Sequence, residues 1–336
     1  MVKSSDIKHA NAALKSSPSA AGLTAVVVGG TNGIGRAFLD QLASLTTSPK
    51  IYIVGRTLPQ LESIITTLQK LNPDGTYVPV EGGDLTLLSN VRKATQTITA
   101  QEQSKIDLLF MSPGYLTFAG RDESPEGLDR LTSIRFYARM RFILDLLPLL
   151  QNAPSPRVVA VLAGGIEGPI FPDDLELKDP KNYSFRNAAA VGSTYTTLFL
   201  EQLQQRHPKI SFVHTFPGIV RTNVFNSENL GAVFKFFFNW LIMPTVGRFI
   251  ALSPEEAGAR HLFAATSSMY AAADDKSAAN VVVGSNGVQH SGVYTLNEKM
   301  DAVHNDKVLQ PYREQGVDAR IWEHTTAEFE RVLGGQ

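Results

Sequence analysis

The feature that most constrains this chain is an apolar strand that runs into a glycine-rich turn and then into a helix. Residues 25–36 read Ala-Val-Val-Val-Gly-Gly-Thr-Asn-Gly-Ile-Gly-Arg. Glycines let a backbone turn tightly and approach a phosphate, while the helix directs N–H groups and its positive dipole end at the anion. A turn of this kind is also compatible with a plain strand-to-helix connection. The predicted pyrophosphate contacts are Gly29, Thr31, Asn32, Gly33, Ile34 and Gly35.

A second apolar strand, Lys50 to Val54, is followed by Gly55 and Arg56. In dinucleotide-binding folds the residue that reads the adenosine ribose lies about 20 residues after the glycine turn, at the end of this strand. An acidic side chain there accepts a hydrogen bond from a 2′-hydroxyl, whereas a guanidinium suits a 2′-phosphate. Arg56 therefore favours NADP(H) over NAD(H); the alternative is a solvated arginine at a helix start.

Strand and helix patterns alternate along the chain. Apolar runs begin near residues 24, 51, 76, 106, 157, 210 and 292, and helical patterns cover residues 33–44, 58–71, 87–103, 127–150 and 188–205. This alternation predicts an α/β fold, a Rossmann-type doubly wound parallel sheet of about seven strands in a single domain over residues 1–336. Residues 223–256 form an apolar insertion after the sixth strand. Residues 301–336 are predicted to be a helical extension, anchored by Trp322 and Phe329.

Further polar and glycine-containing turns follow three of these strands, and ligands collect at the carboxyl ends of parallel strands. The candidate cofactor contacts in these turns are Asp84, Leu85, Ser112, Gly114, Pro217, Gly218, Val220 and Thr222. With these turns the chain resembles the short-chain dehydrogenase/reductase family over most of residues 22–300. In that family the turn at 217–222 corresponds to the nicotinamide-side contact and the Asp84-Leu85 turn to the adenine-side contact. The segments 161–165 and 253–258 resemble reductases of filamentous-fungal secondary metabolism.

The resemblance implies a catalytic tyrosine supported by a serine, a lysine and an asparagine. Tyr183 matches the tyrosine, but Asn187 stands at the lysine position, Ala163 at the serine position and Arg135 at the asparagine position. Arg186, three residues after Tyr183, is expected on the same helix face, where its charge takes over part of the role of the lysine. The cofactor contacts are thus well matched to the family, and the usual proton-transfer groups are not.

Three other side chains are candidates for acid–base chemistry. Glu167 follows the fifth strand and is expected either to face the substrate or to be an exposed loop residue. His214 lies in the sixth strand, where a satisfied core histidine is the alternative to a catalyst. Tyr115 follows the fourth strand, where it is either a hydroxyl donor above the nicotinamide or ordinary packing. No convincing set of metal ligands is present, so no metal is predicted.

Composition narrows the class of partner. The net charge of −1 lacks the positive excess that is typical of nucleic-acid-binding proteins. The chain has no cysteine, so it can form neither a disulfide nor a thiol nucleophile. The N-terminus lacks the apolar core of a signal peptide, which favours a cytoplasmic protein. The aromatic stretch 231–244 is interrupted by polar residues, so no transmembrane segment is expected. The leading interpretation of this stretch is a lid over an apolar small-molecule substrate. Core packing or a dimer face is the second interpretation, and an in-plane membrane contact is the third.

The leading hypothesis is therefore an NADP(H)-dependent oxidoreductase acting on a carbonyl or alcohol of an apolar small molecule, with Tyr183 as proton donor. A redox-silent cyclase, isomerase or lyase using the same cleft is the rival. A non-catalytic nucleotide-binding protein is the third hypothesis. Members of the resembled family often dimerise through the helices predicted here at 127–150 and 188–205, so a homodimer is a candidate assembly.

Overall fold

A computed structural model describes residues 1–222 and 251–334. The strands in these ranges are β1 (Thr24–Val28), β2 (Lys50–Gly55), β3 (Thr76–Glu81), β4 (Leu108–Met111), β5 (Arg157–Val161), β6 (Ser211–Thr215), β7 (Val293–Leu296) and β8 (Ala302–Val303). They form one sheet of order β3-β2-β1-β4-β5-β6-β7-β8, parallel throughout except for the antiparallel pair β7–β8. The α/β Rossmann-type fold is confirmed. The described sheet has eight strands, not about seven, because β8 is only two residues long and leaves no apolar pattern.

The helices are α1 (Ser4–Ala13), α2 (Gly33–Leu45), α3 (Leu58–Leu71), α4 (Leu88–Gln101), α5 (Arg130–Thr132), α6 (Ala138–Asn152), α7 (Phe185–Arg206), α8 (Pro254–Thr266), α9 (Asp306–Glu314) and α10 (Val317–Leu333). A π-helical turn, Ser133–Tyr137, joins α5 directly to α6. The sequence placed α3 at its observed bounds. It started α7 three residues late, at Ala188 instead of Phe185, and this difference changes the reading of the site.

Both faces of the sheet are covered by helices. Along β1, Val26 and Val28 point into one apolar core, while Ala25 and Val27 point into the other. A strand buried on both faces reads as a continuous apolar run, which is why the central strands were recognisable without alternation. No helix in the described ranges is long and apolar enough to cross a membrane.

The C-terminal helix α10 packs onto α7. Trp322 stacks on Phe199 of α7 with ring centroids 4.6 Å apart, and Arg206 lies 4.1 Å above the Trp322 ring. Every residue of α7 from Val191 to Leu203 is buried. The dimer surface expected on this helix is therefore not exposed, because the chain's own C-terminal helix covers it.

The carboxyl ends of the parallel strands lie along one edge of the sheet, and the predicted ligand turns meet there. A β-carbon added at Gly33, after β1, would lie 3.1 Å from Cγ2 of Thr222, after β6. Most of the predicted lid, residues 223–250, lies outside the described residues. The last residues of its predicted range belong to α8, which begins at Pro254 and is capped by Ser253.

Candidate active site

The glycine turn leads into α2 with a defined cap. Asn32 is the N-cap residue, and its Oδ1 accepts a hydrogen bond of 2.7 Å from the N–H of Gly33. Gly33 has φ +57°, a left-handed conformation that glycine adopts without strain. Thr31 and Ile34 on either side are partly exposed. The first turn of α2 thus presents backbone N–H groups beside an open surface, as an anion site requires.

Gly35 has a different role from Gly33. A β-carbon at Gly35 would overlap the carbonyl oxygen of Gly29 and Oγ of Ser112. Gly35 is therefore needed so that α2 can pack closely on the turn and on the end of β4. Oγ of Ser112 is itself buried and has no hydrogen-bond partner among the described residues. An unsatisfied hydroxyl beside the glycine turn is consistent with a polar ligand there.

At the adenosine end, Arg56 is exposed at the end of β2 and forms no ion pair within residues 1–222 and 251–334. Asp84 is held by two contacts: its Oδ1 accepts from the N–H of Thr86 at 2.9 Å, and its Oδ2 accepts from Nη1 of Arg130 at 3.0 Å. Its side chain is still half exposed. Leu85 is partly buried against the core.

At the other end of the edge, the turn after β6 is open. Pro217 is partly exposed, and Gly218 has φ +71°. Val220 is buried and pairs with Leu252 through an isolated parallel bridge. Gly114, after β4, is exposed, and no atom lies within 4 Å of a β-carbon added there. The described residues therefore leave the surface beside Gly114 open.

Tyr183 is not part of α7. The N-cap of α7 is Ser184, whose Oγ accepts a hydrogen bond of 3.1 Å from the N–H of Asn187. The expectation that Tyr183, Arg186 and Asn187 share one helix face is therefore wrong, since Tyr183 precedes the helix. The side chain of Asn187 donates to the carbonyl of Asn182 at 2.7 Å, and Arg186 is exposed.

A carboxylate, not a cation, holds the Tyr183 hydroxyl. The Tyr183 hydroxyl donates to Oδ1 of Asp129 at 3.4 Å, and Asp129 is 3 % exposed. Burial first, and then the charge of Asp129, raise the pKa of Tyr183 to about 12, although Arg135 opposes this rise. Burial and the same carboxylate raise the pKa of Tyr115 to about 12. Both phenols stay protonated at neutral pH.

Arg135 is a site residue that sequence reasoning treated only as a lost asparagine. It lies in the π-helical turn, is 7 % exposed, and its Cζ is 5.8 Å from the ring centroid of Phe185. Its Nη1 is buried without a hydrogen-bond partner in the described part of the chain. Burial lowers the pKa of Arg135, while Tyr183, Tyr115 and Asp129 act in the opposite direction. The available signal was an arginine flanked directly by the apolar residues Ile134 and Phe136.

Glu167 and His214 belong to an internal network. The N–H of Ala163 donates to Nε2 of His214 at 3.1 Å, so Nδ1 carries the proton and donates to Oγ1 of Thr197 at 2.9 Å. Thr197 in turn donates to Oε1 of Glu167 at 2.7 Å. Burial lowers the pKa of His214 to about 3 and raises the pKa of Glu167. His214 is thus a neutral core histidine. Glu167 is 5 % exposed, so the alternative of an exposed loop residue is wrong, while its role toward the substrate stays a prediction.

The end of β5 carries no side-chain hydroxyl at Ala163, and the backbone there is already engaged. The N–H of Ala163 bonds to His214, and its carbonyl accepts from Oγ of Ser193 at 2.6 Å. The polar side chains that gather around the cleft are Tyr115, Asp129, Arg135 and Tyr183. Among the described residues, no group of three or more His, Asp or Glu side chains is placed to hold a metal ion.

Sequence comparison gives full-length relatives. The family profile described as short chain dehydrogenase matches residues 23–169. Oxidoreductase AN1596 of Emericella nidulans is 38% identical over 340 residues, which cover 99% of each chain. The NmrA-like family domain-containing oxidoreductase notO of an Aspergillus species is 37% identical, over 98% of this chain and 95% of that protein. The short-chain dehydrogenase/reductase SAT2 of Stachybotrys chartarum is 29% identical over 96% of both chains.

Solved structures share the fold at low identity. L-sorbose reductase from Gluconobacter frateurii, solved with NADPH and L-sorbose, has a TM-score of 0.54 at 17% identity and covers 74% of this chain and 90% of its own. YwfH, an NADPH-dependent reductase involved in bacilysin biosynthesis, has a TM-score of 0.54 at 18% identity, with 73% and 91% covered. These likenesses concern the fold alone.

Proposed function

Because this chain belongs to the short-chain dehydrogenase/reductase family and is an oxidoreductase of that type, we propose that it uses NADPH to reduce a carbonyl group on an apolar small molecule. The observation that carries the cofactor choice is Arg56, exposed and without an ion pair among the described residues at the end of β2. A free guanidinium at this position suits the 2′-phosphate that distinguishes NADPH from NADH.

The remaining cofactor contacts follow from the geometry of the sheet edge. The first turn of α2, from Gly33, would hold the pyrophosphate, and the unsatisfied Oγ of Ser112 faces the same turn. The turn from Pro217 to Thr222 would border the nicotinamide, as in the family. When bound, NADPH supplies the hydride.

Tyr183 would donate the proton at its hydroxyl oxygen. An alkoxide is a much stronger base than a phenolate, so a phenol with a pKa of about 12 still protonates it readily. The reverse reaction needs the phenolate as a base, and Asp129 makes that form scarce. The raised pKa therefore keeps Tyr183 in the protonated form that carbonyl reduction needs.

The substrate we propose is a fungal secondary metabolite with an apolar body. The relatives reported above come from filamentous fungi, and Phe118 and Phe185 form a half-exposed aromatic pair beside Tyr183, with ring centroids 4.9 Å apart. Such a pair offers an apolar wall to a ring or chain. The insertion at 223–250, which lies outside the described residues, is proposed to complete the cover.

The test is NADPH consumption, followed by absorbance, with a panel of aromatic and terpenoid ketones. Tyr183→Phe removes the proton but keeps the ring, so kcat should fall about a hundredfold or more. Tyr77→Phe, which removes a hydroxyl that only donates to the carbonyl of Asn72, is the matched control and should behave as the native enzyme. Native turnover in Tyr183→Phe would contradict the assignment.

A redox-silent reaction is the second candidate, and it is favoured by Asn187, which stands at the position of the family's lysine. Arg135 is a fixed positive charge that would stabilise an enolate without any hydride transfer. The same assay separates the two functions. Conversion of a substrate without loss of NADPH absorbance would select the cyclase, isomerase or lyase.

A further inference from the structure

We propose that Arg135 is a substrate-binding residue and that the substrate carries an ionised oxygen group, a carboxylate or the enolate of a 1,3-dicarbonyl, which this guanidinium receives. The proposal deepens the proposed function and rests on it for the location of the substrate. It goes beyond an apolar substrate by adding a negatively charged head at a defined place, beside Tyr183 and Tyr115.

The first observation is an uncompensated buried charge. Arg135 is 7 % exposed, no carboxylate lies within ion-pairing distance of it in the described ranges, and its Nη1 has no hydrogen-bond partner there. The nearest carboxylate, Asp129, is already used. Its Oδ1 accepts from the Asp122 N–H and the Tyr183 hydroxyl, and its Oδ2 accepts from the Thr132 N–H and hydroxyl. A buried cation of this kind calls for an anion that the described residues do not supply.

A second buried arginine strengthens the positive potential. Arg139, one turn further along, is 1 % exposed and donates only to carbonyl oxygens, those of Ile134, Arg135, Pro113 and Val161. The nearby His214 is neutral and does not offset either charge. Two guanidinium groups therefore lie under the cleft without a carboxylate partner among the described residues, and the hydrogen bonds to carbonyl oxygens are those of Arg139. This favours binding of an anion over a neutral ligand.

The guanidinium is also held in a fixed position. A β-carbon at Gly192 of α7 would lie 3.4 Å from Cβ and Cδ of Arg135, so glycine leaves room for the side chain to run along that helix. The Phe185 ring lies 5.8 Å from Cζ on another side. The bond from Arg139 to the carbonyl of Arg135 fixes the backbone of the π-helical turn. A planar fork held in this way matches a delocalised oxyanion.

The side chains around Arg135 also indicate the chemistry of the uncharged part of the ligand. The pair Phe118 and Phe185 stands next to Arg135, and the protonated hydroxyls of Tyr115 and Tyr183 offer further hydrogen-bond donors. The glycine turn belongs to α2, whereas Arg135 packs against α7. We therefore assign the anion to the substrate and not to the phosphates of the cofactor. An aromatic acid or an ionised polyketide-like enol has the required chemistry.

The test compares benzoate with benzamide, which has the same shape without the charge. Both are titrated by calorimetry into the full-length protein, with and without NADP⁺. The native protein should bind benzoate about tenfold more tightly than benzamide, the value of one charge-assisted contact. Arg135→Gln should lose this preference but keep its affinity for NADPH. Arg320→Gln, which removes an exposed arginine paired with Asp173, should retain the preference.

Equal binding of benzoate and benzamide to the native protein would overturn the proposal, as would a preference that survives in Arg135→Gln. A loss of NADPH affinity in Arg135→Gln with benzoate binding unchanged would overturn it too, because the guanidinium would then serve the cofactor. If Arg135→Gln does not fold, Arg135→Lys is tested in its place. Weaker benzoate binding with a retained preference for benzoate over benzamide supports the proposal. Unchanged binding of both ligands refutes it. Failure of the proposed function would give a different result: no NADPH would be consumed, while the native protein would still prefer benzoate over benzamide.

Discussion

Replacing Asp129 with asparagine removes the negative charge beside the Tyr183 hydroxyl while keeping the shape of the side chain. Asp129 also caps α5 by accepting the N–H of Thr132 at 2.9 Å, and asparagine is an equally good N-cap residue. The charged and titratable groups around Tyr183 are Asp129, Arg135 and Tyr115. Asp129→Asn therefore leaves Arg135 as the dominant charge, and the pKa of Tyr183 should fall from about 12.

The size of the effect follows from the phenolate fraction. With a pKa of about 12, about one Tyr183 in a thousand is ionised near pH 9. Burial is the largest cause of the raised pKa and persists in the variant, so the charge accounts for a fall of about 1. That fall makes phenolate about tenfold more abundant near pH 9. Alcohol oxidation, which needs the phenolate, should become up to about tenfold faster near pH 9, and carbonyl reduction should rise by the same factor at the same pH, because a phenol of lower pKa is a stronger acid and a catalyst cannot change the equilibrium constant between alcohol and ketone.

The assay follows NADPH formation from the alcohol and NADPH loss with the ketone across pH 6 to 10. Asp122→Asn is the control, because Asp122 is an exposed carboxylate paired with Arg130 and should leave both rates as they are. Thermal unfolding of each variant checks that the cap at α5 is intact. The reasoning is refuted if oxidation by Asp129→Asn does not rise near pH 9, or if Asp122→Asn raises it equally.

Three further predictions concern the cofactor and the core. Arg56→Ala should weaken NADPH binding about ten- to a hundredfold in fluorescence titrations, because the charge-assisted contact contributes about 1.5–3 kcal/mol. NADH binding should stay unchanged, and equal affinity of the native protein for both cofactors would contradict this prediction. Gly35→Ala should lower the unfolding temperature because the new methyl overlaps the glycine turn. Gly33→Asn, which tolerates the left-handed conformation at this position, should stay folded and lose NADPH; the reverse order would show that the two roles are exchanged. Phe329→Ala, in the buried face of α10, should lower the free energy of unfolding by about 3–5 kcal/mol in urea titrations. Leu71→Ala, at a half-exposed helix end, should lower it by far less. Equal losses would mean that α10 is not anchored through the Phe329 ring.

Local patterns in the sequence were sufficient for β1 to β7, for most of the helices and for the glycine turn, but not for the two-residue β8 or for the start of α7. Interactions between residues close in sequence determine the strand, turn and helix at residues 25–36. Strands that are buried on both faces are recognisable as continuous apolar runs. The order of elements along the chain then implies right-handed crossovers and brings the turns after β1, β4 and β6 to one edge. The arginine at the end of β2 was recognisable for the same reason.

The chemistry of the cleft depended on contacts between residues distant in sequence. Tyr183 meets Asp129, 54 positions away, and this contact reverses the electrostatic effect that a lysine would have. Glu167 looked like a loop residue, yet Thr197, 30 positions away, draws it into the core. Arg135 looked like a lost asparagine, yet the structure buries its guanidinium without a carboxylate partner among the described residues. Sequence determined which backbone units form because those interactions are local, and only the packed structure decided which charges face each other because burial and pairing arise from the whole chain.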